Sequence, residues 1–138
     1  METHYNLSDI EFVKQFIECK LNPKIFSHEA HLRLAWISIK NDGIEIAEKN
    51  IQSQLQNFVV FVGAKDKYNK TLTIVAIKIV YHFILKSKSK SFKAFLNEFP
   101  QLKNNFKELI DQHYSFDIFN SNKAKVEFLK PDLQSFDN

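Results

Sequence analysis

The sequence predicts an all-α protein, with about five or six helices packed around a central apolar helix at residues 70–85. Two observations predict this class. Apolar residues recur at helical spacing along most of the chain, and residues that cap helices precede these segments. A length of 138 residues suits a single domain over residues 1–138. Such a domain buries enough surface to fold without a disulfide or a metal.

The first three helices have recognisable start and stop signals. Ser8 and Glu11 have the spacing of a capping box, which begins the first helix. Ser27 is a good N-cap for the second helix, which ends near Gly43, where glycine can adopt the left-handed closing conformation. The third helix covers about residues 44–62. Its inward-facing residues are predicted to be Ile46, Ile51, Leu55, Phe58 and Val59.

The segment at residues 70–85 is rich in β-branched residues, which would suit a strand, but its length favours a helix. Asn69 supplies an N-cap, and the scarcity of polar residues predicts a central, buried position. A short helix capped by Ser91 and a longer one over about residues 100–113 follow. A short turn is predicted near residues 121–125.

The charge of the chain is modest and uneven. The net charge is +3, and eight of the eighteen lysines lie between Lys65 and Lys93 with one acid, Asp66. A basic surface can attract anions, but Arg33 is the only arginine. Nucleic-acid binding usually needs more arginine and a denser basic stripe, so the composition favours a solvated lysine-rich surface instead.

Cysteine usage and hydropathy predict a soluble cytoplasmic protein without a membrane partner. Cys19 is the only cysteine, which fits a reducing compartment. The first six residues lack the charged and apolar regions of a signal peptide. The longest apolar stretch, residues 72–85, is interrupted by Lys78 and His82 and is too short to span a bilayer.

Three polar residues at the start of the second helix form the first candidate site. His28 and His31 are three residues apart and project from one helix face, and Arg33 follows them among apolar residues. The positive end of the helix keeps an imidazole neutral, so both histidines are candidates for catalysis or ligand binding. The structural alternative is that Phe26 and His31 form a hydrophobic staple while His28 helps to cap the helix.

The start of the fourth helix provides the second candidate group. Tyr68, Asn69, Lys70, Thr71 and Thr73 offer hydrogen-bonding groups and a positive charge beside the free amides of a helix N-terminus, which can bind an anion. The alternative is that Asn69 only caps the helix while the two threonines bond to local carbonyls. If the starts of the two helices converge, these residues enclose one polar pocket for a carboxylate or a phosphate.

Several motifs resemble those of a family of small bacterial proteins of this length. That family has an aromatic-x-His-x-x-His-Leu motif, followed by Tyr-His-x-Thr-x-Thr, a Ser-aromatic-x-x-Phe…Pro-x-Leu stretch and a closing Phe-x-x-Pro-Asp. The resemblance spans nearly the whole chain and implies the positions of a site, without an activity. The corresponding segments here are 26–32, 68–73, 91–102 and 128–132, with Asn69 where the family has histidine.

The sequence leaves three functional classes open. The first is a domain that binds a small anionic molecule, or acts on it, through His28, His31, Arg33 and the start of the helix at Asn69. The second is a metal-binding protein that uses the two histidines, and the third is an interaction or structural module without a pocket. Because Asn69 is a poor third ligand, we expect no tightly held metal or other cofactor. Oligomeric state is left open.

Overall fold

The structure is a computed structural model that describes residues 3–136. Over that range it contains α-helices, short 3-10 helices and no β-strand, which confirms the predicted all-α class. The α-helices are α1 (Asp9–Ile17), α2 (His28–Asp42), α3 (Ile44–Phe61), α4 (Lys70–Ile84), α5 (Phe92–Glu98), α6 (Gln101–Asn104), α7 (Phe106–Asp111) and α8 (Asn122–Val126). The 3-10 helices are His4–Asn6, Pro23–Ile25 and Lys65–Lys67.

The chain divides into two compact units, Met1–Tyr68 with α1 to α3 and Asn69–Asn138 with α4 to α8. The expectation of a single domain built around one central helix stays a prediction. Within the described range, every helix is too short or too polar to cross a bilayer.

Side-chain caps begin the first two helices of the first unit, as the sequence predicts. The Ser8 hydroxyl accepts a hydrogen bond from the Glu11 amide, and the Glu11 carboxylate accepts one from the Ser8 amide. Ser27 accepts from the amide of Ala30 at the start of α2. These bonds satisfy amides that have no partner within the helix, which explains why the boundaries could be predicted.

Gly43 joins α2 directly to α3 with φ +84° and ψ 166°. The positive φ favours glycine, as expected, but the extended ψ lies outside the left-handed helical region. The difference arises because Gly43 ends one helix and also begins the next, so the chain must leave the turn in an extended direction.

The core of the first unit forms where α3 packs against both α1 and α2. The rings of Phe16, Phe26 and Phe58 lie with their centroids 5.0 to 5.2 Å apart, within the usual range for aromatic pairs. On α3 the buried stripe consists of Ala47, Ile51, Leu55 and Phe58.

The inward orientation predicted for Ile46 is wrong, because its side chain is 53% exposed. Adjacent residues differ by about 100° around a helix, and the spacing of the buried stripe selects Ala47 instead of its larger neighbour. Val59, predicted as inward, is half-buried at the edge of that stripe.

In the second unit, α4 begins and ends within a residue of the predicted segment, and α8 packs against it. Ser91 caps α5 through the amide of Ala94, as expected. The predicted helix over 100–113 is instead split at Asn105, whose φ of −134° is not helical. Asparagine is among the weaker helix formers, which favours a break at this position.

The C-terminal part of the second unit contains one more helix than the sequence predicts. The residues near 121–125 form α8 instead of a simple turn, because Ser121 accepts a hydrogen bond from the amide of Ala124 and caps a helical turn. The chain then extends to Phe136. It is held by the Tyr114 hydroxyl, which donates to the Leu129 carbonyl at 2.6 Å.

Candidate functional site

The first predicted group of site residues includes Arg33, which is buried on α2. Its guanidinium donates to the carbonyls of His4 and Leu7 at 2.7 and 2.9 Å. It also donates twice to one oxygen of Asp9, at 2.8 and 3.2 Å, and lies 3.3 Å from Nδ1 of His4. These contacts engage all the N–H donors of a guanidinium. Arg33 therefore holds the N-terminal segment against α2 and has no donor left for a ligand.

His4 and Glu29 extend this buried network. Since a guanidinium can only donate, the contact with Arg33 makes Nδ1 of His4 an acceptor. In the neutral ring, Nε2 then holds the proton and donates to the Glu29 carboxylate at 3.2 Å. His4 is fully buried and Glu29 is 4% exposed. Sequence reasoning missed both residues, because they lie 25 positions apart and share no motif.

His28 and His31 lie on the exposed side of α2. The ring of His31 lies 4.0 Å from that of Phe26, which precedes the Ser27 cap, so the pair has the arrangement of a hydrophobic staple. Desolvation by the surrounding protein, followed by the charge of neighbouring His28, lowers the pKa of His31 to about 4. The imidazole of His31 is therefore neutral at pH 7.

Asn69 and Thr73, from the second predicted group, bond within the second unit. The Asn69 side chain accepts from the amide of Leu72 at 2.9 Å and donates to the carbonyl of Ile118 at 2.7 Å. Thr73 donates to the Asn69 carbonyl at 2.7 Å. Asn69 thus both caps α4 and ties its start to the later part of the unit.

Thr71 connects the start of α4 to the chain that follows α8. Its hydroxyl donates to the carbonyl of Glu127 at 2.7 Å and accepts from the amide of Leu129 at 3.0 Å. The side chain is fully buried, so this hydroxyl satisfies two backbone groups that would otherwise lack partners. The polar groups of Asn69, Thr71 and Thr73 have structural partners, as in the alternative interpretation of this motif.

Tyr68 and Lys70 complete the second group. The Tyr68 hydroxyl is buried and has no hydrogen-bond partner among the described residues, which is uncommon for a polar atom in a protein interior. Lys70 is half-buried in the first turn of α4. His28, His31, Arg33 and Tyr68 belong to the first unit and the others to the second. That all of them share one cavity stays a prediction.

The second unit contains a cavity of about 90 Å³ between α4, the end of α7 and the C-terminal segment. We call it the histidine cavity. Apolar residues form one part of its wall, while two imidazoles, two carboxamides and a hydroxyl form the rest. The lining residues are Ile79, His82, Phe83, Leu109, Gln112, His113, Gln134, Ser135 and Phe136.

His113 has a fixed position in this cavity. Its Nδ1 lies 2.7 Å from the carbonyl of Gln134, which can only accept, so Nδ1 holds a proton. Its ring is stacked on Phe136 with 4.0 Å between centroids, and its own carbonyl accepts from the amide of Leu133. In the neutral ring Nε2 therefore bears a lone pair.

His82 faces the same cavity from α4. Its imidazole makes no hydrogen bond within residues 3–136 and lies perpendicular to the ring of Phe83, with the ring centroids 5.2 Å apart. Partial burial, then the charges of Lys86 and His113, lower the pKa of His82. The ring is therefore neutral at pH 7 and has both a donor and an acceptor nitrogen.

Sequence reasoning missed the histidine cavity. His82 had a signal, since it is an ionisable residue within the most apolar helix, but its partner His113 lies 31 positions further along. No motif joins the two. Among the described residues there is no cluster of three or more His, Cys, Asp or Glu side chains that could hold a metal ion.

Comparison with known proteins finds no family model, no curated protein and no solved structure that matches this chain. The resemblance to a small bacterial family therefore stays an expectation from the motifs, and the function has to be argued from the geometry.

Proposed function

We propose that the protein binds a small molecule in the histidine cavity of its second unit. The observation that supports this proposal is the composition of the cavity wall. Two imidazoles and two carboxamides line the cavity together with aliphatic and aromatic side chains. Small-molecule sites typically combine such an apolar wall with a few polar groups that orient the ligand.

The position of His113 favours binding over a simple packing defect. Its Nδ1 hydrogen bond and its stacking on Phe136 fix the ring before any ligand arrives, so little conformational entropy is lost on binding. By contrast, the polar groups of Arg33 and Thr71 are engaged by protein partners. The histidine cavity is thus better suited to a ligand than the starts of α2 and α4.

The size of the cavity limits the ligand. A volume of about 90 Å³ is smaller than the cavity of about 150 Å³ that accommodates benzene. The ligand is therefore a compound with few non-hydrogen atoms, or a small group at the end of a larger one.

The site predicted on His28, His31, Arg33 and the start of α4 stays a weaker proposal for the same ligand class. Arg33 cannot contribute a donor, which leaves the two exposed histidines of α2. A metal bound there would have two of the four ligands that zinc prefers, so tight binding is not expected. The proposed cytoplasmic location rests on the lone Cys19 and stays an expectation.

Nuclear magnetic resonance would test binding in the histidine cavity. We expect acetate, acetamide or imidazole, added to roughly 50 mM, to shift the His82 and His113 ring signals in a saturable way. Leu109→Trp should abolish these shifts by filling the cavity, whereas Leu85→Trp, at an exposed position after α4, should preserve them. If none of the three probes shifts these signals saturably, the proposed function is wrong.

A further inference from the structure

The wall of the histidine cavity offers hydrogen-bond donors to a ligand. None of its lining residues, all of which lie in the described part of the chain, is an aspartate or a glutamate. Lys86, just after α4, carries a permanent positive charge that opposes protonation of His82. The nearby ammonium of Lys86 favours an anion over a metal ion at His82.

We infer that the ligand of the histidine cavity is a short carboxylate, bound between His82 and His113 together with one proton. This inference rests on the proposed function and names its ligand class. A carboxylate of two or three carbons suits the small volume, with its oxygens directed to the imidazoles and its alkyl group to Ile79 and Leu109.

The proton follows from the hydrogen-bond pattern of His113. Because Nδ1–H donates to the Gln134 carbonyl, Nε2 of the neutral ring is an acceptor, and a carboxylate oxygen is an acceptor as well. Two acceptors do not form a hydrogen bond unless a proton lies between them. The complex therefore takes up one proton from solvent, which is shared by Nε2 and a ligand oxygen, and no covalent bond forms or breaks.

The remaining polar groups can bind the second carboxylate oxygen. Gln112 and Gln134 both have side-chain amides that donate, and neutral His82 has one N–H donor. The Lys86 ammonium adds favourable charge from the exposed end of α4 without entering the cavity wall. A neutral amide of the same shape lacks this charge, so the structure predicts preference for the anion.

The test compares acetate with acetamide, which have nearly the same shape but differ in charge. At pH 6 we expect acetate to bind with a dissociation constant of about 1 mM, at least about tenfold more tightly than acetamide. Since a proton is taken up, acetate affinity should fall as the pH rises from 6 to 8, by at most about tenfold per pH unit. Acetamide affinity should change much less.

Two variants test the assigned groups. In His113→Asn the amide nitrogen can replace Nδ1 and keep the bond to Gln134, while Nε2 is lost, so acetate binding and its pH dependence should disappear. An unchanged Leu133 amide signal would show that the C-terminal segment is still attached. Lys86→Gln, at an exposed position, should weaken acetate binding several-fold without affecting acetamide. Lys49→Gln, which removes a surface lysine charge from the first unit, should leave acetate binding unchanged.

The outcomes separate this inference from the proposed function. If acetamide or imidazole binds as well as acetate, the cavity is a small-molecule site but the carboxylate inference is wrong. Acetate binding that is independent of pH, or that survives His113→Asn, also contradicts it. If no probe binds, both proposals fail.

Discussion

The buried polar network of the first unit and the histidine cavity of the second unit contain similar residue types, but they differ in whether protein groups occupy the hydrogen-bonding sites of these residues. Arg33, His4 and Glu29 bond to one another and to backbone carbonyls, so their hydrogen bonds are made inside the protein. His82 and His113 instead face a void. A buried polar residue is therefore not in itself a sign of a binding site, and the location of its partners decides its role.

The largest effect is expected when Arg33 is removed from the buried network. Arg33→Met should lower the free energy of unfolding by about 3 kcal/mol or more, because the carbonyls of His4 and Leu7 lose their donors inside the protein. Denaturant unfolding measures the change. As a control, Met in place of exposed Lys49 should change stability by less than about 0.5 kcal/mol. A loss below about 1 kcal/mol for Arg33→Met would show that the network is not structural.

Thr71 is a residue of the second unit whose hydroxyl, like the guanidinium of Arg33, has its hydrogen-bond partners within the protein. Thr71→Val keeps the shape of the side chain but removes the hydroxyl that bonds both Glu127 and Leu129, so we expect a loss of about 2 kcal/mol. Thr73→Val removes one bond to the Asn69 carbonyl in the same helical turn, and should cost less than about 1 kcal/mol. Equal losses in the two unfolding curves would mean that the long-range bonds of Thr71 add nothing.

The lowered pKa of His31 predicts a pH-dependent stability for the first unit. In the unfolded chain the imidazole takes up a proton near pH 6.5, but in the folded protein it does so only near pH 4. The contribution of His31 to the free energy of unfolding is therefore fully present above pH 6.5. It is lost as the pH falls from 6.5 towards 4, because the unfolded chain then binds the proton more readily than the folded protein. Because the ring is exposed, screening by solvent limits this loss of stability to about 1 kcal/mol at most.

The variant His31→Gln should remove this part of the acid-dependent loss. Unfolding free energies at pH 7 and pH 4.5 provide the measurement, and the difference between them should be smaller in the variant than in the original protein. His82→Gln should act in the same direction, because the pKa of His82 is also lowered. An unchanged difference in His31→Gln would indicate that solvent around the ring keeps its pKa near the ordinary value.

The smallest effect is expected at the unpartnered hydroxyl of Tyr68. Tyr68→Phe removes a buried polar atom that has no hydrogen bond within residues 3–136, so stability should stay the same or rise by up to about 1 kcal/mol. Thermal unfolding would detect such a rise. A clear loss of stability would instead show that a bound water or ligand satisfies the hydroxyl, and would favour the predicted site at the start of α4.

The helix starts could be predicted because their signals are local. Ser8, Ser27, Asn69 and Ser91 each accept a hydrogen bond from an amide three residues later, so the sequence within one turn determines the boundary. The helical spacing of apolar residues likewise allowed the all-α class to be predicted. The orientation of Ile46 was predicted wrongly, because no local signal fixes the helix face and a shift of one residue rotates the apolar stripe by about 100°.

The roles of the candidate site residues depended on partners far along the chain. Arg33 bonds to residues 24 to 29 positions away, and Thr71 to residues 56 and 58 positions away. The sequence identified these residues as unusual polar groups beside apolar ones, but only the tertiary structure decided that they are satisfied internally. It also brought His82 and His113 to one cavity. The physical reason is that caps and helical periodicity act within a few residues, whereas long-range pairing depends on how whole helices pack.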